Sequence, residues 1–217
     1  MKKVYDFLRD LGNNNSKEWM DNNRGYYNEA KATWVDQLNE IYARLAKHDS
    51  RFDNIEAKKT VMRINNNRMF HPDKPVYKDS FGASPFGKDA PELYLHISPN
   101  GNMIGGGIYR PDNDALKKIR EAIDYDGQEL VDIISKKSFT DYYDGLMEDD
   151  TALKTSPRGY NVDHEFIELL RRKSFAAVRT PTQKEVLSSD YIDMVEQGYL
   201  ELSPLNRWLT KAITFEA

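Results

Sequence analysis

Four basic residues, Arg63, Arg68, Lys74 and Lys78, fall within sixteen positions that hold one acid, Asp73, in a chain whose formal net charge is −4. Guanidinium groups grip phosphate or carboxylate through paired hydrogen bonds, and lysine adds a mobile point charge. A basic stretch in an acidic protein therefore points to a site for a small anionic ligand bearing phosphate or carboxylate. Tyr77 and Tyr94 suit hydrogen bonding or stacking there. Arg158, in the turn Ser156-Pro157-Arg158-Gly159-Tyr160, is a second anchor for the anion, and His96 is the candidate for moving a proton. Any turnover at such a site would be metal-free acid–base or transfer chemistry, and no cofactor is implied.

The same residues have a plainer reading as a solvated basic loop whose surface ion pairs contribute about 0–1 kcal/mol each. Placement favours function. Thr60, Met62 and Ile64 alternate with Val61 and Arg63, which predicts a short strand carrying Arg63, and a regular element holds a ligand group more rigidly than a loop. The loop of about 25 residues that follows, from Asn65 to Glu92, is long for a compact domain, and such loops are usually functional or mobile. That supplies an alternative, a non-catalytic module in which the loop docks an unspecified protein partner. Nucleic-acid binding would require a continuous basic stripe with exposed aromatics, and a pI near 5.7 argues against it.

Other motifs are weaker. Gly82-Ala83-Ser84-Pro85-Phe86-Gly87-Lys88 has the spacing of a phosphate-cradling loop, but Asp89 stands where a hydroxyl should bind Mg²⁺ and Pro91 obstructs the required helix. Gly105-Gly106-Gly107 lies in a strand return and is no dinucleotide fingerprint; either close packing or ligand approach would explain it. The four histidines, His48, His71, His96 and His164, show no metal-ligand spacing, so no metal site is expected.

With 217 residues, 39% of them hydrophobic and 30% charged, the chain suits one soluble domain. No apolar run approaches the roughly 20 residues that span a bilayer, and Asp6, Arg9 and Asp10 interrupt any leader-like apolar region. The absence of cysteine excludes disulfides and thiolate chemistry, and a cytoplasmic location is the default expectation.

Periodicity predicts an α+β fold over residues 1–217, with a mainly antiparallel sheet packed against helices from both chain ends. N-terminal helices lie within 4–48, where Val4, Phe7, Leu8 and Leu11 form one stripe, Ser16 is an N-cap, and Tyr27, Ala30, Trp34, Leu38, Ile41 and Leu45 form a longer stripe. A sheet-forming core spans 60–180, its strands at Thr60, Leu93–Ile97, Met103–Tyr109 and Lys173–Thr180. A two-residue turn at Asn100-Gly101 would pair Ile97 with Ile104 and put Leu93, Leu95, Ile97, Ile104 and Ile108 on the core face, leaving Tyr94 and His96 on the other. Helices are expected from Asp112 or Asn113 as cap, around Leu130–Ile134, at Phe139–Leu146 and at His164–Arg172. C-terminal helices occupy 190–213, with a restart at Ser203-Pro204.

The residues also resemble a known family. Phe7-Leu8 with Asn13-Asn14, Trp19, Asn23-Arg24 and Tyr27, then Arg63-Ile64-Asn65 with Phe70, Asp73-Lys74 and Tyr77-Lys78, are similar to the bacterial and fungal family termed domain of unknown function 2461. Tyr94-Leu95-His96-Ile97, Gly105-Gly106-Gly107, Pro157-Arg158-Gly159-Tyr160, Asp163-His164 and Lys173-Ser174-Phe175 extend the similarity over almost the whole chain. The resemblance implies that Arg63 to Lys78 is the family's most characteristic segment, and it brings no established activity. This chain departs from the pattern at Asn67, where the family has an acid, and at Met69, where it has a base, with Arg68 one position off. The matching set is Arg63, Asp73, Lys74, Tyr77 and Lys78.

Overall fold

Helix α1 (Lys2–Asn13) forms as its spacing predicts, burying Val4, Tyr5, Phe7, Leu8 and Leu11 along one stripe. Ser16 then caps α2 (Lys17–Asn22), its hydroxyl accepting from the Trp19 amide at 3.1 Å. The long stripe becomes α3 (Arg24–Leu45), which buries Ala30, Trp34, Leu38, Ile41 and Leu45. A single 3₁₀ turn at Ser50–Phe52 leads to α4 (Ala57–Thr60), followed by strands β1 (Phe81–Ala83), β2 (Glu92–Ile97) and β3 (Met103–Ile108). Asp112 caps α5 (Asn113–Ser135) by accepting from the Ala115 amide at 2.8 Å. Then come α6 (Lys137–Tyr143), α7 (Ile167–Arg171), β4 (Phe175–Arg179), α8 (Gln183–Val186) and α9 (Tyr191–Thr214). The computed structural model describes residues 1–69, 71–86 and 91–214. The fold class is α+β, with one four-stranded antiparallel sheet in the order β1-β2-β3-β4. Among the described residues no helix is long and apolar enough to cross a membrane.

Several elements differ from expectation. Thr60 ends a helical turn, and Val61 makes only an isolated bridge to Ala83, so the expected strand at Thr60–Ile64 is replaced in the sheet by β1, from within the predicted loop. The β2–β3 reversal spans residues 98–102, where the Gly101 amide donates to the Ser98 carbonyl at 3.3 Å and the Asn102 side chain accepts from the Ser98 amide at 3.1 Å. The two helices expected on either side of Asp126 are both present, joined within α5 across non-helical backbone at that residue (φ −152°, ψ 68°). Pro204 lies inside a continuous α9 and does not restart it. The last two positions of the Gly82–Lys88 reading, 87 and 88, and the neighbouring Asp89 fall outside the described residues, as does Phe70.

Two compact units make up the chain. The first comprises Met1–Pro85, Tyr94–Ile104 and Thr180–Gln197. Its core centres on Phe7, whose ring stacks on Phe81 at 6.0 Å and meets Tyr26 edge-on at 5.2 Å. Phe81, Leu95 and Ile97 are all buried. Buried Asn102 ties this unit together: its amide oxygen accepts from the Tyr5 hydroxyl at 2.7 Å, and its amide nitrogen donates to the Pro181 carbonyl at 3.0 Å. Burial pushes the Tyr5 hydroxyl up to about 12, so it stays a donor.

The second unit comprises Phe86–Leu93, Gly105–Arg179 and Gly198–Ala217. Its core includes Ile108, Ile119, Ile123, Leu130, Phe139, Phe175, Leu202 and Leu209. The glycine triplet has a packing reason. A Cβ at Gly107, where φ is +91°, would lie 2.2 Å from the Phe175 carbonyl oxygen, and one at Gly105 would lie 3.0 Å from that of Ala177. The bare strand admits the β4 backbone.

We expect Gly107→Ala to cost more than about 3 kcal/mol in urea denaturation, since positive φ and a backbone clash act together. Gly12→Ala, inside α1 and in open space, should instead stabilise by up to about 1 kcal/mol. Near-native stability of Gly107→Ala would contradict the packing account.

Candidate functional site

The backbone from Thr60 to Asn66 runs antiparallel to that from Val76 to Ser84 without forming a regular strand. The Ser84 amide donates to the Thr60 carbonyl (3.1 Å), Met62 to Gly82 (2.9 Å), Lys78 to Ile64 (2.8 Å) and Asn66 to Val76 (3.1 Å). Asn15, just beyond α1, clamps the middle of this pairing: its side chain accepts from the Tyr77 amide and donates to the Tyr77 carbonyl, both at 2.9 Å. The Tyr77 ring is buried, so Tyr77 acts here by fixing the main chain next to Lys78.

Pairing brings Arg63 and Lys78 together. The Lys78 amine donates to the Arg63 carbonyl oxygen at 3.0 Å, and partial burial, followed by the Arg63 charge, lowers its basicity. Neither cation is paired with a carboxylate among the described residues. β1 then carries the chain beside β2, with Phe81 opposite Ile97, Gly82 opposite His96 and Ala83 opposite Leu95. Period-two alternation sends Phe81, Ala83, Leu95 and Ile97 into the core, and Gly82, Tyr94 and His96 to the other face. A Cβ at Gly82 would lie 3.1 Å from Met62 Sδ and 3.2 Å from the Tyr94 hydroxyl, so Gly82 is the gap through which the phenol reaches across.

Tyr94 Oη lies 3.0 Å from His96 Nδ1. With the ring proton on Nδ1 donated to the Tyr94 oxygen, Nε2 keeps a free lone pair; with the phenol donating instead, the ring proton sits on Nε2. Burial depresses the imidazole's basicity, Asp79 partly offsets that, and Lys78 reinforces it. Asp79 is itself held by the Asn100 side-chain amide at 2.5 Å. Arg63, Lys78, Asp79, Tyr94 and His96 thus gather at one edge of the sheet, with Arg63 exposed and the others half-buried. The arrangement can hold an anion and pass a proton beside it.

Arg68, Lys74 and Arg158 make other contacts or are exposed. Arg68 is exposed and turns its guanidinium back onto the Pro72 carbonyl, at 3.2 Å from Nε and 2.9 Å from Nη2. Lys74 is exposed in the same excursion, and Arg158 is exposed in the second unit, at the turn closed by Tyr160 N to Pro157 O (3.1 Å). Asn15, Met62, Asp79 and Gly82 were not expected at the site. Gly82 reads in the sequence as part of a failed phosphate loop, and only the fold places it and Asn15 here.

A concavity of about 410 Å³ lies in the second unit between α5, α6 and α9, floored by Ile133, Phe139, Pro204 and Trp208. Three carboxylates and three cations rim it, with Lys211 and Glu129 3.7 Å apart, so it offers no excess of either charge. The Arg63–Lys78 edge has the unmatched chemistry, and we place the candidate site there. Among the described residues no cluster of histidine and acidic side chains could hold a metal ion.

A family model described as conserved hypothetical protein (DUF2461) matches residues 3–208, and the chain belongs to that family. Comparison with curated proteins and with solved structures gives no match.

Neutral His96 carries a pH signature. A depressed folded-state basicity means the unfolded chain binds the proton first, so stability falls as pH drops below about 6.5, the ordinary histidine value, and levels off below the folded value. Nitrogen-15 NMR should show His96 titrating below about 6.5. Gly82→Ala, by displacing the phenol, should move that midpoint. An ordinary or raised midpoint in the wild type would contradict the burial argument.

Proposed function

We propose that the edge formed by Arg63, Lys78, Tyr94 and His96 binds a small anionic ligand bearing phosphate or carboxylate. The observation that carries this reading is the Lys78 amine, which donates to the Arg63 backbone carbonyl at 3.0 Å and feels the Arg63 charge, with neither side chain meeting a carboxylate among the described residues. Two cations brought together repel one another, and an anion relieves the repulsion while completing their hydrogen bonds. Tyr94 and His96 supply further polar atoms at the same edge. If the ligand is turned over, His96, neutral near pH 7, is the group placed to accept a proton.

A second reading, a non-catalytic interaction module, draws on the excursion between Asn66 and Val76. Met69 is 81% exposed there, and residues 71–75 are exposed. A partner seated on that excursion would engage Arg68 and Lys74 and leave Arg63 and Lys78 free.

A thermal-shift screen against phosphates, nucleotides, sugar phosphates and small carboxylates separates the two. At 100 times its dissociation constant, a ligand should raise the melting temperature by about 5–10 °C. The shift should vanish in Arg63→Ala, which removes only an exposed side chain. Absence of any shift, or a shift that persists in folded Arg63→Ala, would sink the anion site and favour the interaction module.

A further inference from the structure

Lys78 has the surroundings of a nucleophile as well as those of an anchor. We propose that Lys78 forms an imine with a small carboxylate that carries an aldehyde or ketone, the carboxylate end being held by Arg63. This rests on the anion-site reading and narrows its ligand to carbonyl acids.

An amine attacks a carbonyl only in its free-base form, and lysine reaches that form near neutral pH when it is desolvated or set beside another cation. Lys78 has both conditions: it is half-buried and adjacent to Arg63. The contrast with Lys59 and Lys137 is chemical. Lys59 pairs with Glu56 at 2.6 Å and Lys137 with Asp141 at 2.8 Å. Lys78 instead donates to the neutral Arg63 carbonyl. A neutral amine can keep that donation through one N–H and direct its lone pair elsewhere.

Geometry supplies the rest. The Lys78 amine rests on the Arg63 backbone carbonyl at 3.0 Å, so the residue that would grip the carboxylate is also the one that holds the amine, and such positioning is the main advantage of an intramolecular attack. The Lys78 lone pair forms the new C–N bond while the carbonyl π electrons move to oxygen, giving an alkoxide that takes up a proton. Loss of the nitrogen proton to His96, and protonation of the departing hydroxyl by the same imidazole, expels water and leaves the protonated imine, the alkoxide having taken its proton from solvent. The step is a condensation with water as its by-product, with no oxidant or reductant. Tyr94, hydrogen-bonded to Nδ1, is a positioning residue that keeps the imidazole in one orientation.

The test uses the full chain with pyruvate and glyoxylate as probes, followed by borohydride reduction and peptide mass mapping. Reduction converts an imine into a stable secondary amine at the lysine that formed it. We expect label at Lys78 to exceed that at Lys59 and Lys74 clearly. Excess lactate, which carries the carboxylate without the carbonyl, should suppress it, as should Arg63→Ala. Lys78→Arg, which keeps the charge and the bond to the Arg63 carbonyl, should lose that label and keep the background on other lysines. If lactate binds in an Arg63-dependent way but label spreads evenly over the lysines, the imine is wrong and the anion site stands. If lactate and pyruvate both fail to bind and label is even, both readings are overturned.

Discussion

The main-chain pairing of Thr60–Asn66 with Val76–Ser84 is the constraint on which the candidate site depends. Its four backbone hydrogen bonds fix which residues face each other, and that register sets Arg63 beside Lys78 and starts β1 at Phe81. Phe81 is then locked by stacking on Phe7 in the core, and its neighbour Gly82 is turned to the opposite face. One register error would send Gly82 inward and Phe81 outward, closing the gap through which Tyr94 reaches His96. Asn15 guards the register from outside by occupying both polar groups of the Tyr77 backbone.

Charge is treated differently in two places of the same unit. Arg44 bridges Asp193 at 2.6 Å and Glu196 at 2.8 Å, and His48 meets Glu196 at 2.7 Å. Hydrogen bonds from His48 and Arg44 hold the Glu196 carboxyl below its usual range, as expected where opposite charges are matched. At Arg63 and Lys78 the charges are alike and burial works against the ammonium. A fold selected for stability alone would place a carboxylate there, as it does at Glu196. Among the described residues the pair has no carboxylate match, a local departure from stability of the kind that functional sites carry.

Much of the fold was legible in the chain because local signals and burial agreed. The Ala30 to Leu45 stripe, the Ser16 and Asp112 caps, and the alternation of Leu93, Leu95 and Ile97 each follow from period and capping chemistry, and each is observed. β1 was not legible: three residues in a stretch rich in Gly, Pro and Asn carry no period, and what makes them a strand is Phe7 on one side and β2 on the other. Thr60 to Ile64 does alternate, yet Thr60 is drawn into a helical turn by its hydroxyl donating to the Ala57 carbonyl at 2.8 Å and meeting the Tyr42 hydroxyl at 2.9 Å. At the site, composition pointed to Arg63, Lys78, Tyr94 and His96, which the fold gathers. It could not reveal Gly82 or Asn15, whose roles are to be absent and to hold backbone.

The most direct measurement is a map of backbone and side-chain chemical-shift changes in the nitrogen-15-labelled chain as inorganic phosphate and acetate are added. The account predicts saturable changes concentrated on Arg63, Lys78, Gly82, Tyr94 and His96. Changes confined to Arg68 and Lys74, or scattered over the surface without saturation, would contradict it.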